Sequence, residues 1–198
     1  MPDPLFHHKL AMPVSARDHS RGPDAAPVVF VVYGDYQCPF TAQLHLTISK
    51  IEGKFPDSIR HIFRHFPLFN RHPHAQLCAE SVEAAAAQNK FWDMHAWLFQ
   101  RQYDFNREAL SAACKLLSLD FDRLDREITE HTHLPRIHED VAAAKHSGVA
   151  GTPALFINNQ LYEADDDFDT LSRHIEPLLP PEPQPKTVIP WAKIFGPH

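Results

Sequence analysis

Cysteine is scarce in this chain, at three in 198 residues. So few, in an odd number, cannot make a disulfide scaffold, and at least one thiol stays free. Long apolar runs are missing as well. The longest, Pro27–Tyr33, falls far short of the roughly 20 residues that a membrane-spanning helix needs. Positive charge is not in excess: 19 Lys and Arg stand against 25 Asp and Glu, for a net charge of −6 with His neutral and a pI near 6.2. That balance excludes a general basic field for nucleic acid or an anionic membrane. The first residues, Met1–His8, lack the basic start and apolar stretch of a signal peptide. The expectation is a soluble cytoplasmic protein, in which a stable disulfide would be out of place.

What is present suits one globular domain, with 43% apolar, 22% charged and 11% aromatic residues. A chain of this length buries about two-thirds or more of its unfolded surface without a disulfide or metal staple. Val28–Tyr33 is a β-branched run that fits a strand covered on both faces. Gly34-Asp35-Tyr36-Gln37-Cys38-Pro39 follows. Proline is favoured at the first helical position, so Pro39 predicts a helix start with Cys38 at its N-cap. Thr41, Leu44, Ile48, Ile51 and Phe55 then share one helix face. Ser58–Phe66 reads as the next strand, completing a βαβ unit with parallel strands.

From about His74 to Ser147 the periodicity is helical. Asn106 and Asp120 are the predicted N-caps of two of its helices, and Gly148 is the stop. Ala154–Ile157, the Asn158-Asn159 turn and Gln160–Glu163 form a hairpin, and Asp165–Asp167 caps a last helix. The fold class is therefore α/β, a mixed sheet with an all-helical insertion between a βαβ half and a ββα half. Residues 1–27 are expected to be an irregular leader with one short strand near Lys9–Val14. Residues 28–179 form the single domain, with the insertion at about 74–147, and 180–198 is a Pro-rich tail. Pro180, Pro181, Pro183 and Pro185 bar helix or central strand there. Trp191 and Phe195 make the tail a candidate arm toward a partner, and the sequence does not fix the oligomeric state.

A thiol at a helix start faces unpaired N–H groups and the positive end of the dipole, a setting that favours the thiolate. A thiol of lowered basicity leaves a mixed disulfide about tenfold faster for two units of pKa, so rapid exchange is expected at Cys38. Thr41, three residues on, has a hydroxyl suited to donate to that thiolate, or simply fills the core. Asp35 reads as a loop cap rather than a proton acceptor. Cys78 and Cys114 lie in apolar helical stripes and are expected to be inert.

The order of elements, with Cys-Pro at the first helix, resembles the thioredoxin fold in its DsbA-like branch. The resemblance rests on Tyr33-Gly34-Asp35-Tyr36-Gln37-Cys38-Pro39-Phe40, His65-Phe66-Pro67-Leu68, Phe91-Trp92-Asp93-Met94-His95 and Gly148–Asn158. It is similar to soluble DsbA-like domains, including those fused to bacterial sodium/proton antiporters. The resemblance implies that Cys38 is the attacking thiol, flanked by Pro39 and Phe40. It also implies that Thr152-Pro153 is a cis-proline loop whose backbone holds an extended substrate. The family's second cysteine is replaced here by Thr41. The implied activity is thiol–disulfide exchange through one cysteine and mixed disulfides, with protein or small-molecule thiols and disulfides as partners. Glutathione is a candidate co-substrate, and no cofactor is bound. The alternatives are a degenerate binding module without turnover, and a thiol-dependent small-molecule transferase or peroxidase. The His61/His65, His72/His74 and His131/His133 pairs lack zinc-motif spacing, so no metal is expected. Most histidines are placed at the surface, with His95 as a satisfied core residue.

Overall fold

The computed structural model describes residues 8–102 and 105–181, so the tail beyond position 181, including Trp191 and Phe195, lies outside them. The elements run β1 (His19–Arg21), β2 (Val28–Gly34), α1 (Pro39–Lys54) and β3 (Ile59–His65), followed by five helices. These are α2 (Ala75–Ala86), α3 (Phe91–Gln100), α4 (Arg107–Leu117), α5 (Phe121–Thr129) and α6 (Leu134–His146). The chain returns to the sheet with β4 (Ala154–Ile157) and β5 (Gln160–Tyr162), then ends in α7 (Phe168–Ile175) and a 3-10 turn at Glu176–Leu178.

Five strands lie in the order β1-β3-β2-β4-β5. Among the described residues only β2 and β3 are parallel, as the helical crossover α1 requires; the other pairs are antiparallel. Period-two alternation sends β2 side chains to opposite faces. Phe30 and Val32 join the larger core with α1, α7 and the helical block, and Val31 and Tyr33 join a smaller one with Phe156, Ala144 and Leu10. Both faces are covered, which is why the run reads as continuous apolar residues.

The predicted caps form. Asn106, Asp120 and Asp167 accept from the amides of Ala109, Arg123 and Thr170 respectively. Gly148, at φ +81°, ends α6 in a conformation that a side chain resists. Asn158 and Asn159 both take positive φ, matching the primed turns of two-residue hairpins. The leader departs from expectation. Lys9 makes only an isolated bridge to Gln160, and the leader's strand forms instead at His19–Arg21 on the free edge of β3. The anchor is Arg64, with a fully buried side chain. It binds Asp18 through two nitrogens at 2.7 and 3.0 Å and also reaches the carbonyls of Met12 and Pro13. No polarity pattern in the leader announces that anchor.

Candidate functional site

Cys38 is the N-cap of α1, in extended backbone geometry, and its side chain makes no capping bond. Its Sγ instead donates to the Thr152 carbonyl at 3.3 Å. The peptide that follows, Thr152–Pro153, is cis. The sequence reading thus places Cys38, Pro39, Thr152 and Pro153 in one neighbourhood, although 114 positions separate the sulfur from Thr152. Only an S–H can donate to a carbonyl oxygen, so the contact belongs to the protonated thiol. The sulfur is covered: Cys38 is 3% exposed. Phe40, two residues on, is 70% exposed, an apolar ring left in water beside it.

The loop carrying Cys38 is fixed from three sides. Buried Asp35 accepts from the Gln37 amide, from the Leu68 amide and from His72 Nδ1, each at 2.8 Å. It therefore ties the loop to the segment after β3, as a capping aspartate should. Gln37 Oε1 accepts from the His74 amide at 2.6 Å. Gln102 Nε2 donates to the carbonyls of both Tyr36 and Cys38, at 3.0 and 2.9 Å. Gln102 had no signal in the sequence, since its partners are backbone atoms 64 and 66 positions away.

Thr41 is buried on the inner face of α1. Its Oγ1 accepts from the Asp35 amide at 3.5 Å, a bond to the loop that carries Cys38. Beneath it lies a cavity of about 10 Å³, lined by Thr41, His45, His61, Phe63, His95 and Phe99 among others. That volume admits about one water molecule. His95 is buried, as expected of a core histidine, and His61 and His65 are buried as well, two exceptions to the surface placement of most histidines. Each imidazole offers an apolar body as well as polar nitrogens, so polarity in the sequence does not report its depth. Tyr36 Oη lies 3.0 Å from His95 Nδ1, and His95 Nε2 lies 3.3 Å from His45 Nδ1. His61 Nδ1 meets Glu52 at 3.0 Å, while its buried Nε2 has no partner. Burial, then the neighbouring His61, lowers His45 to about 4, and burial also lowers His61 and His95. A second knot gathers on Glu83, whose Oε1 accepts from His19, His65 and Arg136 at 2.9, 2.9 and 2.8 Å. Burial opposes the charge there, yet the bonds from His19 and His65 hold Glu83 well below the usual carboxylate range.

Cys78 and Cys114 are both buried and unpaired. Burial, then the nearby Asp35, pushes the Cys78 thiol far up, and burial with Asp120 raises Cys114 to about 11. Neither thiol is suited to attack a disulfide. No cluster of three or more metal-ligating side chains occurs among the described residues, and none of their helices is long and apolar enough to cross a membrane.

A family model described as Thioredoxin matches residues 15–177. Among curated proteins, the Na(+)/H(+) antiporter NhaA 1 of Salinispora arenicola is 38% identical over 164 residues, covering 82% of this chain and 25% of that protein. The chain thus spans about a quarter of the length of the curated relatives it matches. Among solved structures, oxidised BdbD from Bacillus subtilis superposes with a TM-score of 0.76 at 21% identity, covering 86% of this chain and 97% of that one. The thiol-disulfide exchange protein alpha-DsbA2 from Wolbachia pipientis gives 0.71 at 21% identity, covering 83% and 88%. At that identity the two structures speak for the fold.

Proposed function

The chain belongs to the thioredoxin family, and from that membership and the geometry at Cys38 we propose that it performs thiol–disulfide exchange through a single sulfur. The carrying observation is the placement of Cys38 Sγ at the start of α1, 3.3 Å from the carbonyl that precedes a cis proline. In the proposed cycle Cys38 gives up its proton to solvent and its thiolate attacks a disulfide R–S–S–R′. A Cys38–S–S–R bond forms as the S–S bond breaks, and R′S⁻ leaves and is protonated. A second thiol, glutathione or one on the substrate, then attacks R–S, and Cys38 departs as the thiolate. Thr41 has no sulfur, so the second attack must come from outside that position. Pro39 and the helix start support the leaving thiolate, and Thr41 acts indirectly by holding the Asp35 amide. Phe40, Thr152 and Pro153 form the surface offered to the substrate, which enters by displacing the S–H···O contact that covers the sulfur. A cytoplasmic setting is part of the same proposal; three unpaired thiols suit a reducing compartment.

The test is intact-mass analysis after exposure to glutathione disulfide. One glutathione adduct on the wild type, absent from Cys38→Ser, is the expected result. No adduct, or a disulfide from Cys38 to Cys78 or Cys114, overturns the cycle. The near-complete burial of Cys38 favours a second reading, a binding module that uses the same surface without turnover. Peptide binding that survives in Cys38→Ser, with no adduct in the wild type, would select it.

A further inference from the structure

We propose that the groove beside Pro153 selects disulfide substrates carrying a lysine or arginine a few residues from the reacting cysteine. The inference rests on the exchange reading above. It supplies what that reading lacks, a class of substrate.

The groove has a volume of about 240 Å³. Pro153, Leu155 and Tyr162 form its apolar part, and Glu163, Asp165 and Asp166 supply its charge. Leu155 and Tyr162 are buried, Asp166 is half-buried, and Glu163 and Asp165 stand in solvent. No basic side chain lines it. The three carboxylates take part in none of the ion pairs of the described residues. Three less exposed acids are matched by arginine: Arg21 holds Glu52, Arg64 holds Asp18 and Arg136 holds Glu83. Of the neighbouring basic residues, Arg173 turns its guanidinium to the Asp169 carbonyl and the Thr170 hydroxyl, and the His174 ring packs against Tyr162 with centroids 5.0 Å apart.

Uncompensated like charge along a low-dielectric wall concentrates cations and repels anions. The position decides which cation. Cys38 Sγ touches Thr152, and Pro153, the next residue, begins the groove. A chain joined to Cys38 that runs along Tyr162–Asp166 advances roughly 3.3 Å per residue. A basic side chain about two to four residues from the linked cysteine then reaches the acids. The fit is to an extended basic segment, and an acidic one meets repulsion at the same place.

Two peptides test this, each carrying one cysteine as its glutathione mixed disulfide. One has Lys-Arg-Lys beginning two residues away, the other Glu-Asp-Glu. The neutral disulfide of 2-mercaptoethanol serves as reference. The first arm measures the rate at which Cys38 displaces glutathione from each, in low salt and in about 0.5 M salt, where the screening length falls to roughly 4 Å. The basic peptide should react about tenfold or more faster than the acidic one in low salt. High salt should shrink the ratio toward one, and so should the triple variant Glu163→Gln, Asp165→Asn, Asp166→Asn. That variant keeps the Asp167 cap of α7, and its rate with the neutral disulfide should match the wild type. Equal rates for the two peptides, or a ratio unmoved by the triple variant, overturn the inference. The second arm measures noncovalent binding of both peptides, in reduced and blocked form, to Cys38→Ser. Should Cys38 react with no disulfide at all, the exchange reading fails, and this arm alone decides whether the groove prefers the basic chain.

Discussion

At the scale of single residues, two positions govern the chemistry and the space around it. Thr41 is the position that, in the proposed cycle, offers no second sulfur. Thr41→Cys should let Cys38 close an internal disulfide on oxidation, and non-reducing peptide maps should show that bond while the glutathione adduct declines. Persistence of the adduct at wild-type yield would mean that the two sulfurs cannot meet. Gly34 is required by packing: a Cβ there would lie 2.6 Å from Phe63 Cε2 and 2.7 Å from Thr41 Cγ2. Gly34→Ala should therefore cost about 1–3 kcal/mol in urea unfolding, the usual range for overpacking. Adding Thr41→Ser removes one of the two clashes and should recover part of the loss.

At the scale of elements, the loop from Asp35 to Cys38 stands or falls with one carboxylate. Asp35→Ala would strip the part-buried Gln37 and Leu68 amides of their acceptor. Each orphaned donor costs about 1–3 kcal/mol. The variant should be destabilised by roughly 2–4 kcal/mol, and amide exchange should accelerate at Gln37 and Leu68 while the amides of β2 keep their protection. The elements themselves were legible in the sequence wherever one face is buried and one is not. The face of α1 and the caps at Asn106, Asp120 and Asp167 follow from spacing and side-chain chemistry alone. β1 was not legible, because three polar residues on a sheet edge carry no alternation. Nor was the meeting of His45, His61 and His95, which come from α1, β3 and α3. Their approach is a product of packing, and nothing local to any of the three encodes it. At the candidate site, the helix-start cysteine could be read directly, whereas its covering by the Thr152 carbonyl and the Gln102 clamp could not.

At the scale of the whole molecule, the leader is held to the sheet by Arg64. Removing one partner of a buried ion pair strands the other charge, at about 3–5 kcal/mol. Arg64→Met should show a loss of that size by urea unfolding, and a loss under 1 kcal/mol would mean that Asp18 finds water instead. Acid should weaken the fold in a defined window. His45, His61 and His95 titrate below their unfolded value near 6.5, so the unfolded chain binds more protons, and stability must fall as pH drops. Their contribution is complete above pH 6.5 and drains away toward pH 4, at up to about 1.4 kcal/mol per pH unit for each histidine. Lowered carboxylates such as Glu83 are lost only below that window, and Asp140, raised by burial, acts in the opposite sense near its lower end. Urea midpoints at pH 7.5, 6.0 and 5.0 should decline in order, and a flat series would show that the histidines are already charged in the folded protein. The same three groups carry a sense of direction. Among the described residues His95 Nδ1 is the one hydrogen-bond partner of Tyr36 Oη, and the phenol satisfies its hydrogen by donating to it. That choice puts the imidazole proton of His95 on Nε2, aimed at His45 Nδ1, and leaves His45 protonated on Nε2. One phenol at the bottom of the stack thereby dictates the tautomer of two rings above it, and Tyr36→Phe would free both to reverse, an exchange that nitrogen chemical shifts would report.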